Sequence, residues 1–342
     1  NMSPKNLNAS KKTHKFLIDK LKDKRTFQIY KKFEKNMDLS KNFIVAVSGG
    51  SDSLALSFLA KIYSIKKSLD IKYFIVDHKL RKNSTLEAKN VQKNLKKFSI
   101  NLNILTWNGY KPKKNIQSIA RDKRYELLIH KAKKFKIKNI LTGHHLDDLF
   151  ENFFIRILRG SGLKGLISLD RETQKDGINL MRPLINFDKN DLVYISNYIF
   201  GSFIDDPSNK NDKFKRIRIR NFLNQLSLEG LDRNKFHLTI KNLKIANENI
   251  KFYTTKNLKE NITIFQKKNI VVLKESFFSQ SDEVIFRSLT EVIRIIGKKY
   301  YSVRGKKIDK IIDLIKSKSL FKVTLGGCLI KKVNGTVILS KE

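Results

Sequence analysis

Cysteine is almost absent: Cys328 is the only one in 342 residues. One thiol excludes an intramolecular disulfide, a C-x-x-C relay and a four-cysteine zinc or iron–sulfur site within the chain, and a reducing, cytoplasmic setting is expected. No apolar run approaches the ~20 residues of a membrane span, so no membrane partner is expected. The first residues are basic but are interrupted by Asp19, Asp23 and Glu34, with no apolar h-region or cleavage site behind them. A signal or transit peptide is therefore not expected, and Met2 reads as a natural start. Acidic residues are also scarce, 32 against 71 Lys and Arg, for a net charge of +39. Such an excess fits a polyanion held through counterion release. Part of it has a blander source, because Lys, Asn and Ile are all abundant, as an AT-rich codon supply produces. Arginine is the rarer base, so the cluster Arg216, Arg218 and Arg220 carries more information than any lysine run. Internal repeats and low-complexity linkers are lacking too.

What is present is concentrated in residues 43 to 54, where the β-branched run Phe43-Ile44-Val45-Ala46-Val47 empties into Ser48-Gly49-Gly50-Ser51-Asp52-Ser53 and opens a helix. Adjacent glycines let a backbone approach an anion, and the free N–H groups of a helix's first turn point at it. Neither G-x-x-x-x-G-K-[ST] nor G-x-G-x-x-G occurs, which excludes the Walker loop and the dinucleotide fingerprint. S-G-G-x-D-S after a strand resembles instead the PP-loop of the N-type ATP pyrophosphatases, which cut ATP into AMP and pyrophosphate. The competing reading is an ordinary glycine-rich turn.

Around this loop, strands and helices alternate: strands at 43–47, 71–76, 102–106 and 139–142, helices at 52–64, 84–98, 116–135 and 146–159. Repeated βα units predict an α/β fold with a doubly wound parallel sheet, Rossmann-like. Ser84-Thr85-Leu86-Glu87 reads as a capping box. In such sheets ligands sit beyond the carboxyl ends of the strands. Ser48–Ser53, Asp77-His78 and Gly143-His144-His145 all lie there, so they are expected to converge on one crevice. Before this core, residues 1–40 read as a basic helical extension with Phe16, Leu17, Leu21, Ile29, Tyr30, Phe33 and Met37 at helical spacing. The domain reading is 1–40 extension, 41–228 PP-loop ATP pyrophosphatase domain, 229–300 mostly helical and RNA-binding, and 301–342 a short α+β region with a turn at Asn334-Gly335.

Several constellations carry chemistry. Asp147, Asp148 and Glu151 open a helix and share one side of it, either complementing its dipole or, with Asp52, holding Mg2+. His78, His144 and His145 lack the spacing and soft partners of a zinc site; an imidazole here either serves structure or meets a phosphate oxygen. Arg121 and Arg124, three apart, either clamp a phosphate or pair with Asp122 and Glu126. In Phe214-Lys215-Arg216-Ile217-Arg218-Ile219-Arg220, alternation unites all three arginines on a strand, whereas a helix pairs Arg216 with Arg220. Either geometry makes a basic patch for a phosphate backbone.

Taken together these motifs resemble the tRNA(Ile)-lysidine synthetases, a bacterial branch of the PP-loop enzymes. The resemblance runs from Val45 to about Asn221 through Ser48–Ser53, Val76-Asp77-His78-Lys79-Leu80-Arg81 and Ala120-Arg121-x-x-Arg124-Tyr125. It continues in His144-His145-Leu146-Asp147-Asp148-x-x-Glu151, Leu158-Arg159-Gly160-Ser161-Gly162, Arg182-Pro183-Leu184 and Asp206-Pro207-Ser208-Asn209. It departs at Asn152 and Ile217, where family members often carry Thr and Asn. The resemblance implies ATP-dependent ligation of L-lysine to C2 of the wobble cytidine in the CAU anticodon of tRNA(Ile), through an adenylated cytidine, with release of AMP and pyrophosphate. It implies ATP contacts at Ser48, Gly49, Gly50, Ser51, Asp52, Ser53, Asp77, His78, Arg121 and His144, and catalytic roles for Asp52, Asp148 and Glu151. Mg2+ would fall to Asp52, Asp147, Asp148 and Glu151, and tRNA to Arg159, Arg182, Arg216, Arg218 and Arg220; a homodimer follows by analogy. The rivals are a PP-loop tRNA-thiolating enzyme, for which paired cysteines are missing, and a nucleic-acid-binding protein with a vestigial nucleotide fold, which leaves the acids unexplained.

Overall fold

The computed structural model describes residues 4–81, 83–109, 112, 115–204, 215–266, 269–298, 303–317 and 322–342, with side chains from residue 12 onward. Two compact units divide it, Asn1–Leu231 and Asp232–Glu342.

The first unit is built on a six-stranded sheet: β1 (Phe43–Val47), β2 (Lys72–Asp77), β3 (Leu102–Thr106), β4 (Asn139–Leu141), β5 (Glu172–Lys175) and β6 (Ile178–Met181), in the order β3-β2-β1-β4-β6-β5. All neighbours are parallel except the edge pair β5–β6, a hairpin that the helical and strand spacing of the sequence does not announce. Both faces are buried, as a parallel sheet requires. Phe43, Val45 and Val47 point into one core with α3 (Ser51–Lys67), α4 (Ser84–Lys96) and α8 (Lys189–Phe200). Ile44 points to the other, with Tyr125, Leu128 and Ile129 of α5 (Ile116–Lys134). This alternation follows from the period of two along a strand.

The basic extension folds as α1 (Pro4–Asp19) and α2 (Lys24–Asn36), with Leu17, Ile29, Tyr30, Phe33 and Met37 buried in the first of these cores and Phe16 half exposed. Asp23 caps α2 by accepting from the Thr26 N–H (2.8 Å), and the Tyr194 hydroxyl of α8 donates to the same carboxylate (2.9 Å).

The capping box expected at Ser84–Glu87 does not form. Asn83 occupies the N-cap without a side-chain bond, and the Ser84 and Thr85 hydroxyls donate to Asp77 instead, at 2.7 and 2.6 Å. A buried carboxylate is the stronger acceptor, and its bonds are charge-assisted. After β4 come α6 (Leu146–Ile157) and the short α7 (Leu163–Leu166); α9 (Lys215–Leu228) closes the unit and packs on α6. The motif Asp206-Pro207-Ser208-Asn209 lies outside the described residues.

The second unit holds α10 (Arg233–Glu260), β7 (Ile262–Phe265), β8 (Ile270–Leu273), α11 (Asp282–Gly297), α12 (Gly305–Lys316), β9 (Lys322–Leu325), β10 (Cys328–Val333) and β11 (Thr336–Lys341). The strands form one antiparallel sheet in the order β7-β8-β11-β10-β9. Ile285, Leu289, Val292, Ile293 and Ile296 of α11 and the isoleucines of α12 bury one face of each helix in its core. Asn334 and Gly335, both at positive φ (44° and 80°), turn β10 into β11, the geometry that favours Asn-Gly in tight hairpins.

Candidate active site

The strand order reverses at β1: β2 and β3 lie on one side, β4 and β6 on the other. A crevice therefore opens between the ends of β1 and β4. Ser48–Ser53 leaves β1 there, and Gly143-His144-His145 leaves β4.

The loop after β1 is held from within. Ser53 Oγ accepts from the Ser48 N–H (3.1 Å) and the Gly49 N–H (3.0 Å) and donates to the Gly50 carbonyl (2.9 Å). Gly49 has φ +89°, and a Cβ there would sit 2.8 Å from Val91 Cγ2 and 2.9 Å from Ile204 Cδ1. At Gly143 a Cβ would meet the backbone of Asp52 and Ser53 at 3.2 Å, so glycine lets the β4 turn lie against the start of α3. No side chain caps α3. The N–H groups of Ser51, Asp52 and Ser53 thus lack intrahelical acceptors and face the crevice as an anion seat.

Asp52 and Asp148, 96 residues apart in the chain, meet across one imidazole: His145 Nε2 lies 3.7 Å from Asp52 Oδ2 and 3.6 Å from Asp148 Oδ2. The cap of α6 fixes this arrangement. His145 Nδ1 accepts from the Asp147 N–H (3.3 Å), and Asp148 Oδ2 accepts from the His145 N–H (3.0 Å). Burial opposes ionisation of Asp148, yet His145, His144 and that N–H bond hold its pKa below the usual carboxylate value. Burial, aided by Arg121, Arg182 and Arg216 and resisted by Asp148, lowers His144 to about 3, so its ring is neutral near pH 7; Nδ1 lies 2.9 Å from Thr142 Oγ1. His78 is likewise lowered to about 4, by burial first and Arg124 second, and both its ring nitrogens are buried without a hydrogen-bond partner among the described residues.

Glu151 is 1% exposed and lies within the field of Asp148. Its Oε1 accepts both Arg220 Nε (2.9 Å) and Nη2 (2.7 Å), while Oε2 is buried and unpartnered among the described residues. Burial outweighs Arg220 and raises its pKa. Among the described residues no three His, Cys, Asp or Glu are grouped to hold a metal, so Asp52, Asp147, Asp148 and Glu151 do not form one protein cage.

The remaining expected contacts divide. Arg121 lies over Tyr125 (5.3 Å to the ring centroid), and its field reaches His144. Asp77 is 3% exposed, with its carboxylate taken up by Ser84, Thr85 and the Lys79 N–H, so it ties the β2–α4 loop together. Arg182 is buried, donating to the Asp170 carbonyl (2.7 Å) and Thr173 Oγ1 (3.1 Å); its guanidinium clamps the β5–β6 hairpin and offers no surface to an RNA. Arg216, Arg218 and Arg220 are exposed on a helix, with Ile217 and Ile219 buried between them. Arg159 is exposed beyond the far end of α6, about 16 Å along its axis from Asp148. Sequence reasoning missed Lys189. Its Nζ donates to Asp52 Oδ1 (2.6 Å) and Ser51 Oγ (3.0 Å), from the first turn of α8. A partner 137 residues away leaves no spacing signal. Ser196 also escaped notice; its hydroxyl donates to the Ser51 carbonyl (2.7 Å).

A profile of the PP-loop domain matches residues 21–227. The chain is 32% identical to a tRNA(Ile)-lysidine synthase of Rickettsia akari over 327 residues, covering 92% of this chain and 74% of the relative. It belongs to the tRNA(Ile)-lysidine synthase family. A family member from Wolbachia pipientis wMel is 32% identical over 301 residues, covering 87% of this chain and 70% of that one. Among solved structures, the U34-tRNA thiolase NcsA of Methanococcus maripaludis, described with its [4Fe-4S] cluster, shares the fold at a TM-score of 0.57 and 15% identity, over 66% of this chain and 79% of that one. As a PP-loop family member the chain is an ATP-using enzyme. No helix among the described residues is long and apolar enough to cross a membrane.

Proposed function

We propose that the chain joins free L-lysine to C2 of the wobble cytidine in the CAU anticodon of tRNA(Ile), at the expense of ATP. The observation that carries this reading is the meeting of an uncapped, glycine-opened helix start with Asp52, His145 and Asp148 at the switch point of the sheet. An anion seat beside acids suits a substrate set that includes both a polyphosphate and an amine.

In the first step the cytidine O2 attacks the α-phosphorus of ATP, the bond to the bridging oxygen breaks, and pyrophosphate leaves. The N–H groups of Ser51–Ser53 and the ammonium of Lys189 would meet the negative charge that gathers on that leaving group. Mg2+ usually takes one or two carboxylates plus substrate phosphates. Asp52 and Asp148 suit that role, and the cation would neutralise phosphate charge. In the second step the amine of lysine attacks C2 and AMP departs. An ammonium has no lone pair, so a carboxylate must first accept its proton. Asp148, ionised and facing the crevice, is assigned that acceptor role, with Glu151 beside it to hold the ammonium. Arg216, Arg218 and Arg220 would hold the tRNA backbone, and Arg159 would extend that track; two copies would pair as a homodimer. His78 and His144 are neutral near pH 7 and would add no charge to the phosphate site.

The test is product analysis with the full chain. Pyrophosphate should appear from ATP only when tRNA(Ile) is present, and AMP only when lysine is present as well. Sustained AMP release without lysine, or sulfur incorporation into the tRNA, would overturn the reading. The second outcome would require sulfur chemistry from a chain whose one cysteine, Cys328, is buried in the other unit.

A further inference from the structure

Arg220 occupies an unusual position. A guanidinium facing a carboxylate generally pairs both donors with both oxygens. Here Nε and Nη2 both fall on Glu151 Oε1, at 2.9 and 2.7 Å, and Oε2 is left buried without a partner among the described residues. The carboxylate is almost fully buried, whereas the Arg220 side chain is 44% exposed. One residue therefore has an edge on the acid and an edge on the surface. Arg216, four residues earlier on α9, shares that helix face and is exposed as well. Its field reaches His144, Asp148 and Glu151. The helix that presents arginines to a polyanion is thus the one that neutralises the buried acid.

We infer that Arg220 is a positioning residue that couples RNA docking to capture of the amine. In the free protein it holds Glu151 as a closed ion pair. A backbone phosphate seated on α9 competes for the same guanidinium and draws it off Oε1. Glu151 is then a buried carboxylate short of its counter-charge, with Oε2 already unpartnered among the described residues, and the ammonium of lysine replaces the lost cation. A ligand shifts such an equilibrium only by its differential affinity for the two states, and phosphate has that difference because the released guanidinium can meet it with its full fork, whereas the paired one offers only its outer edge. The coupling is reciprocal, so lysine tightens tRNA as much as tRNA tightens lysine. Its consequence is order: lysine is gathered only when the base it will modify is in place. The inference rests on lysine being the incoming amine.

Calorimetric titration of lysine into the full chain tests it, with a non-cleavable ATP analogue present throughout, with and without tRNA(Ile). The expected result is a lysine Kd roughly 5- to 150-fold lower with tRNA, the range usual for coupled sites. In Arg220→Gln the lysine Kd without tRNA should fall toward the tRNA-bound value and the ratio should collapse toward one. Arg220→Lys, which keeps the charge and loses the fork, should retain part of the ratio. A wild-type ratio of one overturns the inference, and so does an undiminished ratio in Arg220→Gln. Should that variant not fold, the wild-type and Arg220→Lys ratios still decide. If wild type makes AMP in a lysine- and tRNA-dependent way yet shows no coupling, only this inference fails. If lysine binds in neither state and AMP release ignores it, the functional reading fails instead.

Discussion

His145 stands between two carboxylates from different helices, and much of the chemistry of this site turns on that one ring. It orients Asp148 through the cap of α6 and meets Asp52 at the start of α3. Asp148→Asn keeps an oxygen to cap the helix but removes the proton acceptor. Lysine incorporation should therefore fall by roughly 10²- to 10⁴-fold, the usual worth of a general base, while binding of the ATP analogue in the absence of Mg2+ persists. Quantifying lysidine by nucleoside mass spectrometry alongside analogue titration checks this. Gly49 makes a different demand. At φ +89°, with Val91 and Ile204 under 3.0 Å from any added Cβ, Gly49→Ala should destabilise the fold by more than about 1 kcal/mol and raise the KM for ATP. Urea melts and initial rates report the two effects separately. Most of these residues are legible in the sequence, because S-G-G-x-D-S and the acids of 147–151 are local patterns. Lys189 is not, since an ion pair spanning the chain has no local signature.

At the scale of the element, α9 shows how a pattern can leave two geometries open. Arg216, Arg218 and Arg220 alternate with isoleucines as a strand would, yet they form a helix on which Ile217 and Ile219 are buried. The helix sets Arg216 and Arg220 on one side and leaves Arg218 apart from them. Arg216→Ala should weaken tRNA binding and reduce the slope of log K against log salt by about one, with nucleotide affinity unchanged. Filter binding over a salt series measures it; a change in ATP affinity with normal tRNA binding would count against the assignment. The loop between β2 and α4 makes a related point. Ser84 and Thr85 carry a capping signature, but Asp77 lies within reach in three dimensions and takes both hydroxyls. A local rule lost to a stronger acceptor that only folding brings near.

Across the whole molecule, buried titrating groups set the response to acid. Folding lowers His78 and His144 from 6.5 to about 4 and about 3. Between those values and 6.5 the unfolded chain binds more protons, so stability is lost as pH falls through that window. Asp77 and Asp148, whose pKa values are also lowered, add a further loss below the ordinary carboxylate range. Urea midpoints should fall steadily from pH 6.5 toward 4, and His78→Phe should flatten part of that decline, because a phenyl ring beside Trp107 cannot be protonated. A decline of equal steepness in the variant would show that His78 is not the group responsible. The +39 charge of the chain adds self-repulsion of the same sign as further groups protonate.

The alternation of strands and helices, the glycine-opened turn after the first strand, the acidic helix start and the want of cysteine chemistry are all written in the chain itself. Each resides in neighbouring residues or in composition, where periodicity and turn chemistry act. Which of these residues meet is a property of the folded arrangement alone. Folding puts Asp52 and Asp148 on one imidazole, brings Lys189 to the loop and gives Arg220 to Glu151. It also turns Arg182 and Asp77 inward as braces. Such pairings depend on strand order and on competition among acceptors, and neither is encoded at any fixed spacing along the chain.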